Sequence, residues 1–184
     1  MGQHVSLRNA VEAVMKSAMR FVALMVAGRI LQPRRHVGGR LVFADGTTAR
    51  VFRETTVRDA PPTDLAVLVV EFRLRWVHGF MHRLFRWESL LNTPLFVGFP
   101  GFVSKLWLAH DEHEVYRGIY QWSGPERAEA YAMALSRLLQ PVCVRGSIAY
   151  HILPGLDRAE FVSGREELVR TQRIEHGAES WVVA

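Results

Sequence analysis

Hydrophobic and polar positions along this chain follow two rhythms, and breaks between them mark the elements. Over residues 5–31 apolar side chains recur at helical spacing, interrupted by Arg8, Glu12, Lys16, Arg20 and Arg29. That pattern predicts an amphipathic helix, and Pro33 stops it. Two β-prone runs, residues 40–43 and 50–57, flank Ala44-Asp45-Gly46-Thr47. Asp-Gly between such runs predicts a hairpin, because glycine accepts the positive φ the turn requires. Asp59-Ala60-Pro61-Pro62 reads as a linker.

Beyond the linker the alternation sharpens. Residues 65–76 read as a strand, buried first and then alternating; residues 80–91 carry apolar side chains at helical spacing. Residues 102–109 and 115–122 alternate as strands, and the polar His110-Asp111-Glu112-His113 joins them as an antiparallel hairpin. Ser123-Gly124-Pro125-Glu126 fits a capping box, with Ala128, Tyr131, Ala132, Leu135, Leu138, Leu139 and Val142 on one face of the helix it opens. Residues 147–153 make the last strand. The order strand, helix, strand, strand, helix, strand predicts an α+β fold, a ferredoxin-like βαββαβ core. The chain divides into an N-terminal helix and hairpin extension (1–60), the core (63–155) and a polar C-terminal tail (156–184) with a short helix near 165–170. Helices on one face of the sheet leave Val67, Val69, Val103, Trp107, Val115 and Ile119 on the other, which predicts association as a homodimer.

Composition narrows the class. The chain has 184 residues, 49% hydrophobic and 22% charged, which suits one globular unit with a proper core. Collagen-like, disordered and disulfide-scaffold readings are excluded, the last because Cys143 is alone. The net charge is +5, but only Lys16 and Lys105 are lysines and the arginines are scattered. That skew fits a GC-rich bacterial genome and supplies no basic face for nucleic acid. The charge-free centre at residues 21–28 falls short of the roughly 20 residues that span a bilayer. The expectation is a cytoplasmic protein without a transmembrane segment, with peripheral membrane contact by the first helix as the minor alternative. Met1-Gly2-Gln3-His4-Val5-Ser6 matches a myristoylation pattern and reads as a chance hit.

The runs Gly98-Phe99-Pro100-Gly101-Phe102-Val103-Ser104-Lys105-Leu106-Trp107-Leu108, Val115-Tyr116-Arg117-Gly118-Ile119-Tyr120-Gln121-Trp122 and Glu126-Arg127-Ala128-Glu129-Ala130-Tyr131 resemble the antibiotic-biosynthesis monooxygenase-like superfamily. The resemblance covers about half the chain. It implies a dimeric α/β barrel, with two four-stranded sheets face to face and a cleft between each sheet and its helices. It also implies a monooxygenase that needs no cofactor, in which a deprotonated aromatic or polyketide-like substrate supplies electrons to dioxygen. The family's haem-cleaving branch fits poorly: residues 131–144 hold no His and residues 65–76 no Asn, and a lone Cys143 in a helix reads as a small buried hydrophobe.

Within that frame the expected catalytic residues are His151, Trp122 and Tyr150. Imidazole titrates near neutrality, so His151 is the proton handler, with Tyr150 in its place if strand four faces the other way. Trp122 supplies a stacking wall and an N–H donor; a core tryptophan sealing the sheet is the competing reading. Asn92, Phe99, Tyr116 and Tyr120 are the expected substrate contacts. No cofactor and no metal are expected: His78/His82 and His110/His113 lack a fuller zinc signature. The competing class is a non-catalytic ligand-binding or structural homodimer. The cleft discriminates, since an enzyme should place Trp122 with a polar partner inside several hundred Å3 of open space.

Overall fold

A computed structural model describes residues 7–58, 62, 64–76, 93–163 and 183. The expected helix at 80–91, the segment 165–170, His78, His82 and Asn92 lie outside the described residues. The elements run α1 (Leu7–Val26), β1 (Ile30–Leu31), β2 (Arg40–Val42), β3 (Thr48–Val57), β4 (Leu65–Arg73), α2 (Pro94–Val97), β5 (Phe102–Leu108), β6 (Val115–Ser123), α3 (Pro125–Leu139), β7 (Ala149–Pro154) and α4 (Arg158–Ser163).

The fold is α+β and ferredoxin-like. Strands β5-β6-β4-β7 lie side by side with every pair antiparallel. This four-stranded arrangement is continued past β5 by β3 and then β1, while β2 pairs with β3 through the Asp45-Gly46 turn. Asp45 Oδ1 accepts from the Thr47 backbone N–H and hydroxyl, and Gly46 takes φ 82°. The hairpin strand is therefore part of the same sheet as the core.

Strand alternation sorts side chains onto two faces. Leu68 and Val70 of β4 and Tyr120 and Trp122 of β6 point toward the helices, where they pack with Ala128, Tyr131 and Ala132 of α3. Val67, Val69 and Ile119 point the other way. The sequence predicts that this outer face is left for a second copy. Instead the chain covers it itself: Phe43 and Ala49 of the hairpin, Leu156, Phe161 of α4 and Val183 pack over it, leaving Val67, Val69 and Ile119 at 0% exposure. The apolar drive that would pair two such faces is met inside one chain. Residues 156–163 are accordingly not a solvated tail; Leu156 and Phe161 were hidden in a charged stretch, where two apolar side chains make no recognisable period.

A buried ion network fastens this cover. Arg117 donates from Nε to Glu71 Oε1 at 2.7 Å and from Nη1 to Asp111 Oδ2 at 2.6 Å, and reaches Thr47 Oγ1 in the β2–β3 turn. Removing one partner from such a network leaves buried charge uncompensated, at a cost of about 3–5 kcal/mol.

On the other face, α1 docks on α2 and α3. Ser17 Oγ donates to the Pro94 carbonyl at 2.8 Å, and Leu24 is buried, while Met15, Met19, Val22 and Val26 stay exposed along the opposite side of the helix. The expected capping box does not form: Ser123 remains in β6 opposite Leu65, and the N-cap is Gly124 at φ 102°, with no side-chain cap. The strand ends one residue later than the box requires.

Candidate functional site

Between the helix-covered face of the sheet and α3 lies a cavity of about 390 Å3. That is within the size of small-molecule sites. Its wall is largely aromatic and aliphatic: Phe52, Phe72, Phe96, Trp107, Tyr116, Tyr120 and Tyr131 meet Leu135, Leu138 and Leu139 of α3. Gly118, opposite Trp107 in the β5–β6 register, keeps the floor open, since a Cβ there would meet the Tyr120 ring at 2.8 Å.

Two β-bulges decide which polar groups reach this space. In β5 the register shifts between Phe102 and Ser104, so Phe102, Lys105 and Trp107 all share the helix face, opposite Trp122, Tyr120 and Gly118. In β3 a shift between Val51 and Arg53 leaves Val51 in the outer cluster and brings Arg53 alongside Trp107. Trp107, predicted on the outer face, is thus on the inner one.

Lys105 is the chemical centre of the wall. It is only 6% exposed, with Nζ 3.2 Å from the Trp107 ring centre and 4.6 Å from those of Phe96 and Tyr120. Aromatic faces stabilise an ammonium. Against that, burial and then the nearby Arg53 charge hold its pKa well below the usual lysine value. Arg53 is itself buried, its pKa lowered by desolvation, with its guanidinium 5.3 Å over Trp107. Its Nε and Nη1 have no hydrogen-bond partner among the described residues. The Lys105 amine therefore lines an apolar cavity, with the Arg53 guanidinium behind it over Trp107, and no carboxylate among the described residues is paired to either.

The other lining cation, Arg117, is paired with Glu71 and Asp111, and the remaining hydroxyls are phenols. Tyr131 OH donates to Tyr120 OH at 3.3 Å, and burial raises both pKa values, Tyr131 further through its neighbour. Trp107 Nε1 donates to Thr55 Oγ1 at 3.2 Å, fixing the ring beneath Lys105.

The residues predicted from sequence divide sharply. Tyr116 and Tyr120 line the cavity. Phe99 and Trp122 lie in the core beside it, both against Tyr131, and neither reaches the open space. Trp122 is at 0% exposure, and its Nε1 has no partner among the described residues. Tyr150 pairs with Val70, so it shares the helix face, but it sits on the edge strand at 37% exposure and lines no part of the cavity. His151 pairs with Val69 and faces the outer side, away from the cavity. The residues missed are Lys105, Arg53, Trp107 and Tyr131. One signal was legible: one of only two lysines stands in the middle of an apolar strand, where a solvated charge has no place. Cys143 is buried, its thiol pushed up to about 11 by desolvation. His110 meets Tyr116 edge-on, and the described residues hold no cluster of three metal-ligating side chains. Nor is any described helix long and apolar enough to cross a membrane.

Two solved structures are similar to this chain in fold. One is an uncharacterized ferredoxin fold protein related to antibiotic biosynthesis monooxygenases from Listeria monocytogenes 4b F2365, at 14% identity and a TM-score of 0.42, over 61% of this chain and 66% of that one. The other is an anthrone oxidase-like protein, at 14% identity and a TM-score of 0.41, over 60% of this chain and 55% of that one. No protein-family model and no curated protein sequence matches the chain.

Proposed function

We propose that this protein is a small-molecule enzyme of the cofactor-independent monooxygenase type, acting on an apolar, aromatic or polyketide-like substrate. The observation that carries the reading is the aromatic cavity of about 390 Å3 with the Lys105 amine in its wall. Flat rings suit walls built from Trp107, Tyr116 and Phe72. An ionised substrate is electron-rich enough to react with dioxygen directly. Oxidation of a ring CH2 to a carbonyl then takes one oxygen atom from dioxygen and releases the other as water. An apolar wall holding the Lys105 amine, with the Arg53 guanidinium nearby, favours that ionisation, since charge interactions strengthen where water is excluded.

The test is oxygen uptake with a panel of anthrones, hydroquinones and related phenols, without added flavin or metal. At least one should be consumed with matching oxygen uptake, and Leu135→Trp, which fills the cavity from α3, should abolish the reaction. Binding of the same compounds with no uptake on any would favour the competing class, a ligand-binding protein without chemistry.

A further inference from the structure

We propose that Lys105 is the base of this cavity and that the substrate is a weak oxygen acid: a phenol, or the enol of a ring ketone. The proposal rests on the cavity being the substrate site and adds to it the group that ionises the substrate. In the step, the substrate O–H bond breaks and an N–H bond forms on Lys105 Nζ. The O–H electron pair stays on oxygen, so nothing is oxidised or reduced.

The geometry supports both halves of that exchange. As a neutral amine, Lys105 needs no counter-ion, and no carboxylate among the described residues supplies one. As an ammonium, it is held over the faces of Trp107, Phe96 and Tyr120. The product anion sits beside that ammonium and within the field of Arg53, whose Nε and Nη1 have no partner among the described residues. The titratable groups facing Lys105 from neighbouring elements are Arg53 of β3, Tyr120 of β6 and, behind it, Tyr131 of α3; Tyr116 and Arg117 of β6 line the same cavity, Arg117 paired with Glu71 and Asp111. Arg53 disfavours a second positive charge, and the Tyr120 and Tyr131 phenols stay protonated. None of them competes with Lys105 for the substrate proton. A buried lysine of lowered pKa is a known form of general base.

The experiment uses 4-nitrophenol, whose acid and anion absorb at different wavelengths, and its methyl ether, 4-nitroanisole, which cannot ionise. Both are titrated with the full chain at a pH below the phenol's own pKa. The bound phenol should show the anion's band, its apparent pKa lowered by a unit or more, which is about a tenfold rise in the ionised fraction. In Lys105→Met, which keeps the aliphatic stem, bound phenol should revert to the acid's band. Binding of phenol and ether with the phenol un-ionised on the wild-type protein would overturn the assignment of Lys105 while leaving the cavity reading intact. Binding of neither would overturn both. The wild-type spectrum needs no variant, so poor folding of Lys105→Met cannot hide the answer.

Discussion

At the scale of single residues, function here turns on which side of a strand a side chain leaves. His151 has the pKa range of a general base, yet pairing with Val69 puts it on the outer face. Trp122 has the right chemistry for a donor, yet it is sealed between Phe102 and Tyr131. We therefore expect His151→Ala to leave 4-nitroanisole binding unchanged within about twofold, as a substitution away from the site should. Trp122→Phe should likewise spare binding, and its loss of packing should be partly offset by removal of an N–H that has no partner among the described residues, for a net cost of about 1–2 kcal/mol. Fluorescence titration and urea unfolding check the two parts. A large loss of affinity in His151→Ala would mean that the cavity is not where the ligand binds.

Elements were far more legible than residues. Strands β4, β5, β6 and β7 fall where alternation places them, because a period of two survives any register. The Asp45-Gly46 turn declares itself through its chemistry. Alternation cannot register a bulge, however. The extra residue near Val103 and the shift at Val51/Arg53 reverse the side-chain faces beyond them, and so Lys105 and Trp107 reach the cavity, and Arg53 lies over Trp107, unannounced. The short α4 was equally invisible, since six residues give no period to read. Docking of α1 depends on a local detail of the same kind. Gly98 has φ −83°, an ordinary backbone, but a Cβ there would lie 1.8 Å from the Ser17 carbonyl oxygen. Gly98→Ala should therefore push α1 off α2 by steric force alone, at a cost of about 1–3 kcal/mol or more. Hydrogen exchange should quicken along α1 while the amides of β4 and β6 keep their protection. Uniform protection in the variant would mean that α1 is held by other contacts.

Across the whole molecule, three distant segments are tied to the sheet by charge. His36 Nδ1 lies 2.9 Å from Glu54 Oε2, and Arg158 of α4 donates to Glu54 Oε1 at 2.6 Å. Burial pushes the Glu54 carboxyl up, but the bonds from His36 and Arg158 outweigh it and hold it below the usual range. Glu112, accepting from the Thr48 hydroxyl and N–H, is lowered to about 2. Both groups are easier to ionise folded than unfolded, so their stabilisation is complete above the ordinary carboxylate value near 4.5 and is lost as pH falls toward 2. Calorimetry should show Tm falling through that window, and Glu54→Gln should flatten part of the slope. A Tm that holds constant down to pH 2 would remove these pairs from the account. The central claim is the cavity and its amine, and the most direct measurement is a crystal structure of the protein with a bound polycyclic phenol. The account predicts ring density between Trp107, Tyr116 and Leu135, with the phenol oxygen about 3 Å from Lys105 Nζ. Density on the outer face near His151, with the cavity empty, would contradict it.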